Sequence, residues 1–171
     1  MRYKLIPNQT LTGVVKAVHD GDSYKIDFGT ETIWIRIWGC DSPEVISNHV
    51  TSDQPYGREA GKIVRDLLKG KTVTVKTLFL DQYNRMICQV EFVHELQKYD
   101  LTEFLISNGL AWWLKEPRMT DSMIELLSEL HNSAKDKKTG LWSESSRKLR
   151  PSTWRSRFRR FSIEKEFEDL W

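Results

Sequence analysis

Alternating hydrophobic and polar residues fill much of the first ninety positions and predict β-strands. In residues 33–38 every odd position is isoleucine, so Arg36 is expected on the opposite face of its strand, between two tryptophans. Gly29-Thr30 precedes this stretch and has the composition of a hairpin turn. Five strands are predicted in all, at residues 11–19, 23–28, 33–38, 73–79 and 86–92.

Hydrophobic residues spaced three or four positions apart predict three helices. The first covers residues 56–68, with Pro55 near its start and Gly70 just past its end. The second covers residues 100–107. The third covers residues 123–134, where Ser122-x-x-Glu125 fits a capping box. This order of elements predicts an α+β fold that is mostly β, a five-stranded OB-type β-barrel with three helices packed around it.

Length and composition predict one globular domain with a hydrophobic core. The chain has 171 residues, of which 39% are hydrophobic and 29% charged, and this balance excludes a disordered protein. No hydrophobic run approaches the roughly 20 residues that cross a bilayer, and the first residues lack the features of a signal peptide. We therefore expect a cytoplasmic monomer without membrane contact, divided into an N-terminal arm (1–10), a barrel domain (11–144) and a C-terminal tail (145–171).

The tail and the two cysteines each allow more than one interpretation. The net charge is only +2, yet residues 147–160 hold seven basic residues and no acid, while residues 163–171 hold four acids and one lysine. Such a segment is a solvated tail or, alternatively, a contact for a polyanion. Cys40 and Cys88 are interpreted as small buried strand residues, with one disulfide or one functional thiol as the alternatives.

Charged residues interrupt the hydrophobic strands or follow their ends, where charges are rare unless they are paired or used. Hydrolysis of a phosphodiester requires such groups. A hard cation and fixed arginines offset the negative charge of the transition state, and a carboxylate can activate water. Each piece alone is weak, because Asp-Gly-Asp is usually a turn and an acid after proline is usually an exposed loop residue. The candidates are Asp22, Arg36, Asp41, Glu44 and Arg85.

Taken together and in this order, the charged pieces resemble the staphylococcal nuclease (thermonuclease-like) family. The resemblance covers roughly residues 11–144 and implies the same five-stranded barrel. The motifs that carry it are Val18-His19-Asp20-Gly21-Asp22-Ser23, Ile35-Arg36-Ile37-Trp38-Gly39-Cys40-Asp41-Ser42-Pro43-Glu44, Tyr56-Gly57-Arg58-Glu59-Ala60, Asp81-Gln82-Tyr83-Asn84-Arg85, Asn108-Gly109-Leu110-Ala111 and Lys138-Thr139-Gly140-Leu141-Trp142.

The resemblance implies a metal site and a catalytic set. Asp22, Asp41 and the backbone carbonyl of Ser42 are the implied ligands of a single Ca2+, with Mg2+ or Mn2+ as alternatives, since all of these cations accept oxygen ligands. The implied catalytic residues are Glu44, which positions or deprotonates the attacking water, and the phosphate-binding arginines Arg36 and Arg85.

The implied substrate-binding side departs from the family pattern. Tyr83 matches a residue beside the terminal phosphate of the nucleotide, whereas Gln82 stands where many members have Lys or Arg. Trp112 and Trp113 stand where the family often supplies tyrosines that stack on a base. Either tryptophan could stack, and a buried aromatic is the alternative.

Two classes of function compete for this chain. The resemblance implies a Ca2+-dependent endonuclease or exonuclease that hydrolyses DNA and RNA, prefers single strands and leaves 3′-phosphate ends. The alternative is a catalytically silent module on the same fold that binds nucleic acid or peptide, and such modules are expected to lose acids or arginines. A barrel that binds single strands without cutting them should have a basic, aromatic groove instead of acids. The five charged residues, all retained here, favour the nuclease.

Overall fold

The computed structural model describes residues 6–143 and 149–159 of the chain. Five strands form the main body: β1 (Thr10–Val18), β2 (Ser23–Asp27), β3 (Thr32–Ile37), β5 (Thr72–Leu80) and β6 (Met86–His94). Three short strands accompany them, which are β4 (Cys40–Asp41), β7 (Gln97–Asp100) and β8 (Trp112–Trp113). The helices are α1 (Gly57–Leu68), α2 (Leu101–Ser107), α3 (Asp121–Asp136) and α4 (Pro151–Arg157), with a 3-10 turn at Gly140–Trp142.

The five long strands close into a barrel, which confirms the predicted architecture. Antiparallel pairing runs in the order β3-β2-β1-β5-β6, and a parallel pairing between β3 and β6 joins the two ends. Ile35 pairs with Met86 across this closure. Strand β7 extends the sheet beyond β6, and β4 pairs with β8 in a separate two-stranded ribbon.

Alternation along the strands fills the barrel with hydrophobic side chains, as the sequence predicts. Ile35 and Ile37 of β3 are buried in the core, together with Tyr24, Val75 and Phe92 of neighbouring strands. The first half of β3 differs, because Trp34 is exposed and its ring meets His19 edge-on. At the other end of β3 both faces are buried, since Arg36 lies against acids from adjoining loops.

Three helices cover the barrel, and α4 is an addition to the predicted set. Helix α1 buries Ala60, Val64 and Leu68 and is followed by Gly70, whose φ of +80° suits a residue without a side chain. The capping box predicted at Ser122 is wrong. Helix α3 begins at Asp121, and its cap is Thr120, whose side chain accepts a hydrogen bond from the N–H of Met123.

Residues 149–159 lie against the loop that connects β4 to α1. The N–H of Thr51 donates to the carbonyl of Phe158 over 2.9 Å, and Val50 forms a β-bridge with Arg159. Residues 1–5 of the predicted arm, the last residue of the predicted barrel domain (144), and residues 145–148 and 160–171 of the predicted tail lie outside the described residues, so the proposed domain limits stay predictions. None of the helices in the described ranges combines the length and hydrophobicity that crossing a membrane requires.

Candidate active site

Arg36 is the centre of a buried charge cluster at the end of β3. Its Nη1 donates to Oδ1 of Asp22 over 2.8 Å, and its Nη2 donates to Oδ1 of Asp41 over 2.5 Å. Strand pairing explains the first contact, because Ser23 is paired with Arg36 and so brings Asp22 alongside. Burial lowers the pKa of Arg36, but the carboxylates of Asp22 and Asp41 raise that pKa by more, so it lies above its ordinary value and the guanidinium stays charged.

Asp22 links two loops at the mouth of the barrel. Its Oδ2 accepts the backbone N–H of Ser42 over 2.7 Å, and its Oδ1 also accepts the hydroxyl of Ser23. Gly21 makes this approach feasible, since a Cβ there would lie 2.7 Å from Cβ of Ser42. The carboxylate is 1% exposed, so the sequence places a charge in an almost fully buried position.

Asp20 is a fourth acid of the cluster, and its sequence pattern predicted no role for it. Its side chain is buried and its Oδ1 accepts the N–H of Asp22 over 3.1 Å. Burial raises its pKa well above the usual range, and the charges of Asp22 and Glu44 raise it further. The Asp-Gly-Asp motif includes Asp20, but aspartate is also common in turns, so the motif did not indicate that Asp20 belongs to the site.

Glu44 lies on the loop between β4 and α1, and its backbone is held at both polar groups. Its N–H donates to Oε1 of Gln54 over 3.1 Å, and its carbonyl accepts the N–H of Gln54 over 2.8 Å. Gly57 allows the start of α1 to pack directly on the Glu44 carbonyl. Burial raises the pKa of the Glu44 carboxyl, and the charge of Arg155 opposes that rise.

Arg155 of α4 reaches the same acids and was not assigned by the sequence analysis. Its Nη1 donates to Oδ1 of Asp41 over 3.0 Å and to Oε1 of Glu44, while its Nη2 donates to Oδ2 of Asp41 over 3.2 Å. More than 110 positions separate Arg155 from both partners in sequence. A general excess of arginines in residues 147–160 was the signal, and it did not single out one of them.

Arg85, the second predicted phosphate ligand, lies outside this cluster. Its Nε donates to Oδ2 of Asp81 over 2.8 Å, within the turn that leads into β6. The same Asp81 accepts the N–H groups of Tyr83 and Arg85, and Asn84 takes a left-handed φ of +59° there. No hydrogen bond or ion pair joins Arg85 to Asp22, Asp41 or Glu44 in the part of the chain that the structure describes. Its role as a phosphate ligand stays a prediction.

The predicted substrate-binding residues differ in exposure. Tyr83 is 70% exposed, and the guanidinium of Arg85 lies 5.4 Å from the centre of its ring. Gln82 is exposed and Trp113 is half-buried. Trp112 is 4% exposed, pairs with Asp41 across β4 and β8, and packs edge-on against Trp142. In this structure Trp112 therefore packs beside Asp41 as a buried aromatic residue, and its ring is not exposed for stacking on a base.

Cys40 and Cys88 are buried free thiols, in agreement with their interpretation as core residues. Burial raises the pKa of Cys88 to about 12 and also raises that of Cys40. The thiolate is the nucleophilic form, so both thiols are inert at neutral pH.

The cluster contains the carboxylate oxygens that a cation site requires, and in this structure those oxygens accept hydrogen bonds from Arg36 and Arg155. Within the described ranges no three acidic, histidine or cysteine side chains assemble as a metal cage. Asp22 Oδ2 and Asp41 Oδ2 nevertheless each accept a single hydrogen bond there, and the buried hydroxyl of Ser42 has no partner. Three carboxyl groups, those of Asp22, Asp41 and Glu44, pair with two arginines, so a hard divalent cation fits both the oxygen donors and the excess of acid.

Comparison with known proteins places this geometry in a family. The model of the staphylococcal nuclease homologue family matches residues 34–144, which include Arg36, Asp41, Glu44 and Arg85. The chain belongs to this family. An endonuclease described as uncharacterized from Escherichia coli O157:H7 is 32% identical over 145 residues, which cover 85% of each chain.

Two eukaryotic relatives are longer proteins. The probable endonuclease LCL3 of Komagataella phaffii is 38% identical over 114 residues, which cover 66% of this chain and 50% of the relative. The staphylococcal-like nuclease CAN1 of Arabidopsis thaliana is 33% identical over 125 residues, which cover 71% of this chain and 32% of the relative. The family assignment made from the motifs is thereby confirmed.

Proposed function

We propose that this protein is a metal-dependent nuclease that hydrolyses phosphodiester bonds in DNA and RNA. The observation that carries the proposal is the buried arrangement of Arg36 between Asp22 and Asp41, with Glu44 close by on the same cluster. Burying charged side chains costs free energy, and a hydrophobic core does not need them for stability. A buried cluster of this kind therefore indicates a functional site. Membership in a family with relatives named endonucleases supports the same chemistry.

Asp22, Asp41 and the carbonyl of Ser42 would hold the cation, which we propose to be Ca2+, with Mg2+ or Mn2+ as possible substitutes. The bound cation supplies positive charge opposite the phosphate and so offsets the charge of the transition state. Oδ2 of Asp22 and Oδ2 of Asp41 each accept a single hydrogen bond, and the lone pairs that remain on them support this assignment.

Glu44 and the arginines would carry out the hydrolysis. Glu44 orients a water molecule and takes its proton as the water oxygen bonds to phosphorus. The bond from phosphorus to the 5′ oxygen breaks, that oxygen takes up a proton from solvent, and a 3′-phosphate end remains. Arg36 stabilises the charge on the phosphate oxygens. Arg85 would join it once substrate competes with Asp81 for the guanidinium.

The substrate side of the proposal rests on exposed residues next to Arg85. Tyr83 and Gln82 are exposed in the turn before β6, and half-buried Trp113 of β8 pairs with Cys40, the residue before Asp41. Unpaired strands can bring a backbone phosphate into a small site beside a flipped base, so we expect faster cleavage of single strands, from ends as well as internally. The monomeric state and the cytoplasmic location stay predictions from the sequence.

Incubation with nucleic acid tests the proposal directly. Denatured DNA, duplex DNA and RNA are each mixed with the purified protein in Ca2+, Mg2+, Mn2+ or chelator, and the products are labelled with a kinase before and after phosphatase treatment. We expect cleavage in Ca2+ and no cleavage in chelator. Single strands should be cleaved fastest, and the products should carry 3′-phosphate ends. Asp22→Asn should be inactive. Intact substrate in every cation, with binding retained, would support the silent binding module instead.

A further inference from the structure

We propose that Arg155 completes the active site from the C-terminal segment, as a positioning residue that holds Glu44 in place relative to Asp41. This inference rests on the proposed nuclease function and names a residue outside the part of the chain matched by the family model, which ends at residue 144. Arg155 is the side chain that connects the predicted water-activating acid to a predicted metal ligand.

The contacts of Arg155 fix one carboxylate oxygen of Glu44 and leave the other accessible. Nη1 of Arg155 bonds Oε1 of Glu44 and Oδ1 of Asp41, and Nη2 bonds Oδ2 of Asp41. Oε2 of Glu44 accepts no hydrogen bond from any residue within the described ranges. A planar guanidinium that bridges two carboxylates sets their spacing and their relative orientation, which a flexible glutamate on a loop cannot do alone.

Glu44 needs such a restraint because the loop that carries it has no helix or strand between β4 and α1. Gln54 fixes the backbone of Glu44 but does not contact its carboxylate. In the described ranges, Arg155 is the partner of that carboxylate. The Glu44 side chain is 13% exposed, whereas the Arg155 side chain is 39% exposed, so the pair is partly buried with its acid on the inner side. A partly buried ion pair is screened less by solvent than one at the surface.

The segment that carries Arg155 is anchored to the same loop as Glu44. The indole N–H of Trp154 donates to the carbonyl of Ser52 over 2.9 Å, and Nε2 of Gln54 donates to the carbonyl of Leu149 over 2.7 Å. A helix of seven residues is not stable by itself, so these anchors determine where α4 lies. Gln54 thus connects the backbone of Glu44 to the segment that holds its side chain.

The kinetic test uses the full chain and four proteins: wild type, Arg155→Ala, Arg155→Lys and Arg157→Ala. Arg157 is the matched control, because it is an exposed arginine two positions further along α4. We expect Arg155→Ala to lower kcat about 100-fold, the scale of a misplaced general base, with KM within about 3-fold. Arg155→Lys should recover part of the rate, and Arg157→Ala should match wild type.

A second measurement, thermal stability, tests the contact between Arg155 and Glu44 without any cation or substrate. Thermal unfolding of Arg155→Ala, Glu44→Gln and the double variant should show coupling, so that the double variant loses about 2–4 °C less than the sum of the single losses. The corresponding cycle with Arg157→Ala should be additive. Should Arg155→Ala fail to fold, Arg155→Lys takes its place in both measurements.

Each other outcome overturns the proposal in a recognisable way. Unchanged kcat in Arg155→Ala shows that Arg155 takes no part, and a raised kcat shows that it restrains the enzyme. An equal loss in Arg157→Ala shows a general effect of charge. An inactive wild type removes the proposed function and this role together, whereas an active wild type with unaffected Arg155→Ala removes the role alone.

Discussion

Arg36 shows how one residue can serve both the stability of this fold and its proposed chemistry. It is 8% exposed and neutralises two buried carboxylates, so its removal leaves those acids unpaired in a dry environment. Removing one partner of a buried ion pair lowers the free energy of unfolding by about 3–5 kcal/mol. Under the proposed function, the same guanidinium also stabilises the charge on the phosphate oxygens. Loss of activity and loss of stability must therefore be separated experimentally.

Arg36→Lys separates the two effects. Lysine keeps the charge, but its single ammonium group cannot bond both Asp22 and Asp41 in the manner of a guanidinium. We expect a rate loss of about 10³–10⁵, the range for arginines that contact a transferring phosphoryl group, in a protein that still folds. The rate is measured on a single-stranded oligonucleotide and folding by circular dichroism. Arg65→Ala, at an exposed position of α1, is the control. A near-normal rate in Arg36→Lys would remove Arg36 from the phosphate site.

Calcium should stabilise the protein through the excess of acid around Asp22. A ligand that binds only the folded state at 100 times its dissociation constant adds about 2.7 kcal/mol. For a chain of this length we expect a rise in Tm of roughly 5–10 °C, measured by scanning calorimetry with and without Ca2+. Asp22→Asn should abolish the rise, while Glu44→Gln should keep it. An equal rise in Asp22→Asn would place the cation elsewhere.

At the scale of elements, patterns within one strand or helix could be predicted from the sequence, and long-range contacts could not. The alternation around Arg36 places it on the face opposite the isoleucines, and the structure shows it there. Periodicity cannot report which loops meet that face. Arg155 was missed for this reason, since 114 positions separate it from Asp41 and only packing brings the two together. Asp20 lies two residues from Asp22 and was missed because a turn explains Asp-Gly-Asp equally well. The cap of α3 was wrong because Thr120 and Ser122 are equally suitable by composition.

Helix α1 contains two glycines with opposite expected effects on stability. A Cβ on Gly57 would collide with the backbone carbonyl of Glu44, whereas a Cβ on Gly61 would lie 3.5 Å from Cα of Asp20, an ordinary contact. We expect Gly57→Ala to destabilise the fold by about 1–3 kcal/mol, because the loop that carries Glu44 must shift. Gly61→Ala should stabilise it by up to about 1 kcal/mol through helix propensity. Urea unfolding measures both, and a stabilising Gly57→Ala would contradict the packing described here.

At the scale of the whole molecule, helix α3 and the 3-10 turn meet through a buried histidine. His131 packs edge-on against Trp142, and its Nδ1 has no hydrogen-bond partner within the described residues. Burial, together with the positive charges of Lys135 and Arg150, lowers its pKa to about 4. The neutral ring is therefore the form that fits the fold.

This neutral ring makes stability depend on pH in a defined window. Above about pH 6.5 the His131 ring is neutral in both the folded and the unfolded protein. Between about pH 6.5 and pH 4 the ring is protonated in the unfolded chain but stays neutral in the folded protein. Stability is therefore lost as pH falls from 6.5 to 4, by up to roughly 3 kcal/mol from this residue. In His131→Phe, which keeps an aromatic ring against Trp142, that loss should be absent. Urea unfolding of both proteins from pH 7.5 to 4 measures the difference, which should be constant above pH 7 and grow in favour of the variant below it. Parallel curves over the whole range would mean that His131 is protonated in the folded protein as readily as in the unfolded chain.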